Sequence, residues 1–176
     1  MPKIKQNVYH VNLYPTAYDN HVLTGLFYTL QHAFCYTLDG LKSGRYKIDS
    51  KTVYDVIDKQ IMPDWISERP QDAEIGYYRL VRYVVRDACN KWFDHGKAEA
   101  DVEALKAAHK DHMKLPYCWP KGRYDKIAIF RLAKIKIDPV TLPTDIHSYI
   151  IHRDGAKWTC DILAEKSFYE VDSMCF

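Results

Sequence analysis

The pair Asp154-Gly155 constrains the fold more than any other two residues in the chain. It sits between two runs of alternating apolar and polar residues, and only residues that tolerate positive φ fit the tight primed turn such a junction requires. After it, Trp158, Cys160 and Ile162 fall on one face of a strand, while Lys157, Thr159 and Asp161 fall on the other. Before it, Tyr149 and Ile151 alternate with Ser148 and Ile150. The hairpin therefore spans His147 to Glu165, and a further strand region is expected over Lys126 to Asp138. A hairpin with one or two extra strands leaves open edges and cannot close a core alone. The missing strand is at the other end of the chain: Lys3 to Tyr14 puts Tyr9, Val11 and Leu13 on one face and His10 and Asn12 on the other, and Pro15 stops it. The expectation is an α+β fold in which residues 1–15 and 115–176 form a small β-barrel or curled sheet, interrupted by a helical insert over residues 16–114.

Four helices are expected in the insert. Thr16 can cap the first, with Asp19 three residues on. Val22, Leu23, Leu26, Phe27, Leu30, Phe34, Leu38 and Leu41 give it a core-facing stripe, and Gly40 and Gly44 end it. Gly44-Arg45-Tyr46-Lys47 then reads as a basic, aromatic loop tip. Ser50 is expected to cap a short helix through Val53, Val56 and Ile57 that stops at Pro63. The strongest helix runs from Ala73 to Asp94, with Tyr77, Val81, Val84, Val85, Ala88, Trp92 and Phe93 on or beside one stripe, and Arg79, Arg82, Arg86 and Asn90 on another. A weakly amphipathic helix from Ala98 to Met113 closes the insert. Trp65, and Tyr14 beside Pro15, read as core anchors.

Several function classes lose support from what the chain lacks. No apolar run is long enough to span a bilayer, and Met-Pro-Lys-Ile-Lys-Gln has no apolar signal core, so a cytoplasmic protein is expected. The five cysteines, Cys35, Cys89, Cys118, Cys160 and Cys175, include no CxxC pair. His109 and His112, at i and i+3 on an expected helix with Cys118 nearby, could seat a metal, but no fourth ligand follows at a recognisable spacing and they read as surface histidines. Neither a metal nor another cofactor is expected. There is no Gly-rich phosphate loop, no GxSxG and no HExxH, so the chain reads as non-catalytic. Such motifs do not report on a site assembled from residues far apart in the chain.

Charge is more informative in its distribution than in its formal total of +2. Residues 76–97 hold five basic against two acidic residues, and residues 115–137 hold six against one, while 48–75 and 138–176 are acidic. A polyanion responds to such clustering rather than to the sum. The Arg79, Arg82 and Arg86 stripe could line a nucleic-acid backbone, with Tyr46 and Lys47 nearby; the competing reading is a solvated helix face whose arginines pair with acids. Lys121, Arg123, Lys126, Arg131, Lys134 and Lys136, interleaved with Trp119 and Tyr124, combine cations for phosphates with rings for bases. Its competing reading is an edge strand guarded by lysines.

In order along the chain, several features resemble the N-terminal part of TnpB nucleases. These are the strand ending Leu13-Tyr14-Pro15 followed at once by a long helix, the short helix near a Tyr-Lys loop, and the helix ending Ala88-Cys-Asn-Lys-Trp-Phe93. The Pro-Lys-Gly-Arg segment, the Leu132-Ala-Lys-Ile-Lys-Ile137 strand and the hairpin Gly155-Ala-Lys-Trp-Thr-Cys-Asp-Ile-Leu163 complete the likeness. TnpB proteins are transposon-encoded, RNA-guided DNA nucleases related to type V CRISPR effectors. The resemblance implies a wedge β-barrel with a helical recognition insert. It would put Tyr46, Lys47, Tyr78, Arg79 and Arg82 near a short DNA motif, and the block from Lys121 to Lys136 near guide RNA. Arginine forks match guanine edges, which makes direct reading of such a motif chemically reasonable.

The family's RuvC nuclease domain would begin where this chain stops, so cleavage by that route is not expected. The implied function is a non-catalytic protein that binds structured, guide-like RNA, with duplex DNA as a second ligand, and acts by occupancy as a regulator or competitor. Two alternatives stand beside it. One is a protein-interaction module or inhibitor, of viral type, directed at a nuclease or polymerase. The other is one subunit of a split RNA-guided nuclease.

Overall fold

The computed structural model describes residues 5–73, 78–94, 101–116, 136–139 and 146–166. The chain divides into two compact units: Met1–Thr16 with Asp111–Phe176, and Ala17–Lys110. The first is a sheet and the second a helical array, so the fold is α+β.

The sheet has five strands: β1 (Lys5–Tyr14), β2 (His112–Pro116), β3 (Lys136–Ile137), β4 (Ile146–Asp154) and β5 (Lys157–Lys166). Their order is β2-β4-β5-β1-β3, and every neighbouring pair is antiparallel. The β4–β5 hairpin closes at Asp154↔Lys157, so its two loop positions are Gly155 and Ala156. That is one residue later than centring the turn on Asp154-Gly155. Gly155 takes the first loop position at φ +61°, the conformation a primed turn demands there. The face assignment holds, because Ile151 pairs with Cys160 and Tyr149 with Ile162. β1 pairs with β5 over nine residues, from Lys5↔Lys166 to Leu13↔Trp158.

One face of the sheet buries Val11, Leu13, Met113, Ile151, Trp158, Cys160 and Ile162. The other carries His10, Asn12, Tyr14, His112, Lys114, His152, Thr159 and Asp161 in matching register. β2 and β3 are the outer strands, and among the described residues nothing joins them, so the sheet is open there. Of the strand expected over Lys126 to Asp138, only Lys136–Ile137 lies in the described residues as strand. Of the strand expected from Lys3, the described part begins at Lys5, and Lys3 and Ile4 lie outside the described residues.

In the helical unit, α1 (Ala17–Ser43) buries Leu23, Leu26, Phe27, Leu30, Phe34, Leu38 and Leu41 as its spacing requires. It does not end at Gly40. The helix continues to Ser43, and Gly44 ends it at φ +82°, where a side chain would be strained. Gly40 has a different role: a Cβ there would lie 2.4 Å from the ring of Tyr46, which folds back over α1.

The next segment comprises α2 (Val53–Val56), a π-helical turn (Ile57–Ile61) and α3 (Met62–Glu68). Pro63 therefore does not stop the helix. The Met62 N–H still bonds Ile57 O, and Pro63 falls in the first turn of α3, where a missing donor is tolerated. Nor does Ser50 cap it: the Asp49 carboxylate accepts from the Lys51 and Thr52 N–H groups instead.

α4 (Tyr78–Asp94) buries Leu80, Val81, Val84, Val85, Ala88, Cys89 and Trp92 and packs on α1. α5 (Val102–His109) is shorter than its expected span at both ends. Asp101 caps it by accepting from Ala104 N–H, and His112–Pro116 pair with β4 rather than continuing the helix. His109 and His112 therefore do not share a helix; His109 is buried, stacked on Phe34 at 3.9 Å and bonded to Gln31. Trp65 is a core anchor, its indole N–H donating to His32 Nδ1 at 3.1 Å.

The Gly40 contact yields a prediction whose sign is decisive. In an open helix Gly→Ala stabilises by about 0.5–1 kcal/mol. Here Gly40→Ala should instead destabilise by about 1–3 kcal/mol, because the methyl overpacks the Tyr46 ring. Urea unfolding of the substituted and unsubstituted chains measures this directly.

Candidate nucleic-acid interface

The helical unit presents arginines and phenols together. Tyr78, Arg79 and Arg86 are exposed on α4, with Arg82 half-buried on the same stripe. Tyr54 on α2, exposed and absent from the sequence-based set, joins them: the Arg86 guanidinium lies 5.6 Å from its ring centre. Arg82 is held by a bidentate pair to Asp58, Nε to Oδ1 at 2.7 Å and Nη2 to Oδ2 at 3.0 Å. That hydrogen bonding keeps the Asp58 carboxyl below its usual range and raises Arg82. With Arg82 charge-paired to Asp58 and Arg86 lying against Tyr54, the face carries oriented planar groups rather than bare cations. Such planes suit stacking on bases and fork-like contact with phosphates.

Tyr46 and Lys47 do not join this face as expected. Tyr46 is only 3% exposed, its hydroxyl bonded to Asp64 at 2.8 Å and Tyr36 at 3.2 Å, and burial raises its pKa. The loop is drawn inward because the Tyr46 N–H donates to Gly40 O at 3.1 Å and the ring fills the space above Gly40. Arg45 is tied as firmly: its guanidinium reaches both oxygens of Glu68 at 3.1 and 2.8 Å and Asp64 at 3.1 Å. It also lies 5.4 Å from the Tyr46 ring centre. Hydrogen bonds from Arg45, then from Tyr36, lower the Glu68 carboxyl to about 2. Of the expected loop tip, Lys47 remains exposed.

The second basic block cannot be followed as a whole: Trp119, Lys121, Arg123, Tyr124, Lys126, Arg131 and Lys134 lie outside the described residues. Lys136 is exposed on β3, opposite Tyr14. Tyr14 itself is no core anchor. It is 51% exposed and donates to Asp138 Oδ1 at 2.5 Å, while the Asn12 N–H and Nδ2 donate to Asp138 Oδ2 at 2.8 and 2.9 Å. The Tyr14 bond, followed by the Asn12 backbone bond, keeps the Asp138 carboxyl below its usual range.

Sequence reasoning also missed a cluster on the polar face of the sheet. Asp161 on β5 accepts from His10 Nδ1 on β1 at 2.5 Å and from His152 Nε2 on β4 at 2.9 Å. His112 on β2 stands beside His152, ring centres 6.0 Å apart. Alternation did place His10 and Asp161 on the polar faces of their own strands; only the cross-strand register brings them together and adds His152 and His112.

Among the described residues, no three or more His, Cys, Asp or Glu side chains are arranged to hold a metal ion. Burial pushes the Cys89 and Cys160 thiols up to about 12 and also raises Cys35, so these three are poor nucleophiles. No helix among the described residues is long and apolar enough to cross a membrane. No protein-family model and no curated protein matches the chain.

Because the Glu68 carboxyl lies at about 2 against an ordinary 4.5, its bonds with Arg45 and Tyr36 stabilise the helical unit fully above that ordinary value. Their contribution is lost as pH falls from about 4.5 towards about 2. Glu68→Gln should flatten this part of the acid dependence, read as melting temperature against pH. An unchanged acid limb would contradict the assignment.

Proposed function

We propose that this chain is a nucleic-acid-binding protein that takes structured RNA, with duplex DNA as a second ligand, and acts by occupying its target. The observation that carries this reading is the joint presentation of Arg79, Arg82 and Arg86 with Tyr54 and Tyr78 on the helical unit. Cations supply counterion-driven affinity for any polyanion, while rings and guanidinium planes favour unstacked bases in loops and bulges. Asp58 occupies the Nε–Nη2 edge of Arg82 and so fixes the guanidinium plane, leaving the Nη1 side as the part that would meet a guanine edge or a phosphate.

On this reading the chain serves as a regulator or competitor related to the N-terminal part of RNA-guided nucleases, withholding an RNA or DNA site from an active enzyme. The sheet would then be a wedge-like barrel, and the basic block from Lys121 to Lys136 would contribute further RNA contacts. Binding alone suffices for this role; it needs no metal-dependent cutting.

One observation favours a second reading. Asp58 offsets the charge of the central arginine of the stripe, and an exposed Arg–Tyr cluster is also the composition of a protein-binding hot spot. An inhibitor of a nuclease or polymerase would use the same residues against a protein surface.

Purification from the native cell in gentle salt, followed by sequencing of retained nucleic acid and mass spectrometry of retained proteins, separates the two. A discrete structured RNA, lost from the Arg79→Ala/Arg86→Ala chain, is the expected result. A stoichiometric protein partner with no RNA would overturn the nucleic-acid reading in favour of the second.

A further inference from the structure

The cluster of His10, Asp161 and His152 has a chemistry that simple binding does not use. An ionised carboxylate only accepts hydrogen bonds, so each imidazole must direct an N–H at Asp161: His10 through Nδ1 and His152 through Nε2. Both tautomers are thereby fixed, and the far nitrogens, Nε2 of His10 and Nδ1 of His152, are the ones left to exchange protons. The His10 side chain is 76% exposed and that of His152 41%, whereas the Asp161 side chain between them is 22% exposed. Two imidazoles oriented by one sheltered carboxylate are a paired version of the carboxylate–histidine arrangement used in general acid–base catalysis.

The same face supplies a cation. Lys114, Ile150, Asp161 and His10 lie in one cross-strand row, and His112, His152, Thr159 and Asn12 in the next. Lys114 on β2 is thus registered one strand from His152 and on the same face as His10, two strands further on, so it adds a cation to the side of the cluster nearer His152, where a bound phosphate would meet it. Among the residues whose side chains are described, the other titratable groups on this face are His112 on β2, Asp154 on β4, Lys157 on β5, Tyr14 on β1, and Lys136 and Asp138 at β3.

We propose that His10 and His152, positioned by Asp161, form a metal-independent acid–base pair that cleaves RNA at its phosphodiester bonds. The proposal rests on the nucleic-acid reading for its substrate and adds a reaction to it. One imidazole, unprotonated at its far nitrogen, takes the proton of a ribose 2′-hydroxyl. O2′ attacks phosphorus, the P–O5′ bond breaks, and the second imidazole, protonated at its far nitrogen, gives that proton to O5′. The products are a 2′,3′-cyclic phosphate and a 5′-hydroxyl. Exchange with water then returns each imidazole to its starting form, and no oxidant, metal or other co-reactant is needed. His10 and His152 are the catalytic residues; Asp161 is a positioning residue that acts through both rings.

The test is incubation of the full chain with an end-labelled single-stranded RNA in EDTA, from about pH 5 to about pH 8, where imidazoles titrate. Both binding and product ends are read. Cleavage to 2′,3′-cyclic phosphate ends is expected, with a bell-shaped pH profile and no cleavage of the 2′-O-methyl substrate. His10→Ala and His152→Ala should each reduce the rate by about 10²-fold or more while RNA stays bound and thermal unfolding stays cooperative. Asp161→Asn should displace the pH profile, and His21→Ala, altering an exposed histidine of α1, should cleave as the unsubstituted chain does. RNA that is bound but intact at every pH, or cleaved equally by the His10→Ala and His152→Ala chains, overturns this proposal and leaves the binding reading standing. RNA neither bound nor cleaved overturns both.

Discussion

The nine-residue pairing of β1 with β5 is the constraint on which the rest of the sheet depends. It joins residues 5–13 to residues 158–166, so nearly the whole length of the chain must be accommodated before the sheet gains its fourth neighbouring strand. Closing so long a loop costs entropy, but the cost grows only logarithmically with length, and a long antiparallel ladder with one apolar face offsets it. Leu13 opposite Trp158 and Val11 opposite Cys160 provide that face. The same register puts His10 opposite Asp161, so the pairing that builds the core also assembles the polar cluster on the other side. A slip of one residue would destroy both together.

In the helical unit, where α1 and α4 pack through their apolar faces, the pairing of arginines with the acidic stretch 48–75 sets the direction of the surface groups. In isolation that stretch would repel phosphates. In the fold, Asp58 is spent on Arg82, and Asp64 and Glu68 are spent on Arg45. These pairs lie at the surface, where each adds little stability, and their value is in fixing direction. Arg82 and Arg86 are consequently poised as planes, one against a carboxylate and one against Tyr54. A surface of this kind discriminates by shape and stacking more than by charge, which accords with the proposed recognition of structured RNA by a near-neutral chain.

What the sequence made legible was local. The stripe from Leu23 to Leu41 follows from a period of 3.6, and the alternation of Trp158, Cys160 and Ile162 from a period of 2, and both are realised. What it hid was non-local. Tyr46 looked like a loop tip because its burial depends on Gly40, six residues earlier, and on Asp64, eighteen residues later. His112 looked helical because the pairing that makes it a strand residue lies at His152. The bond between His10 and Asp161 spans 151 positions, and no local pattern reports it. The exposure of Tyr14 is non-local for the same reason, since Asp138, which holds its hydroxyl at the surface, is contributed by a distant segment.

The claim that the Arg–Tyr face of the helical unit grips a polyanion is tested most directly by measuring RNA affinity against salt. Between about 50 and about 200 mM salt, log K should fall linearly with log salt, and each of Arg79→Ala and Arg86→Ala should reduce the slope by about one. An affinity that ignores salt, or a slope unchanged by both substitutions, would contradict the account.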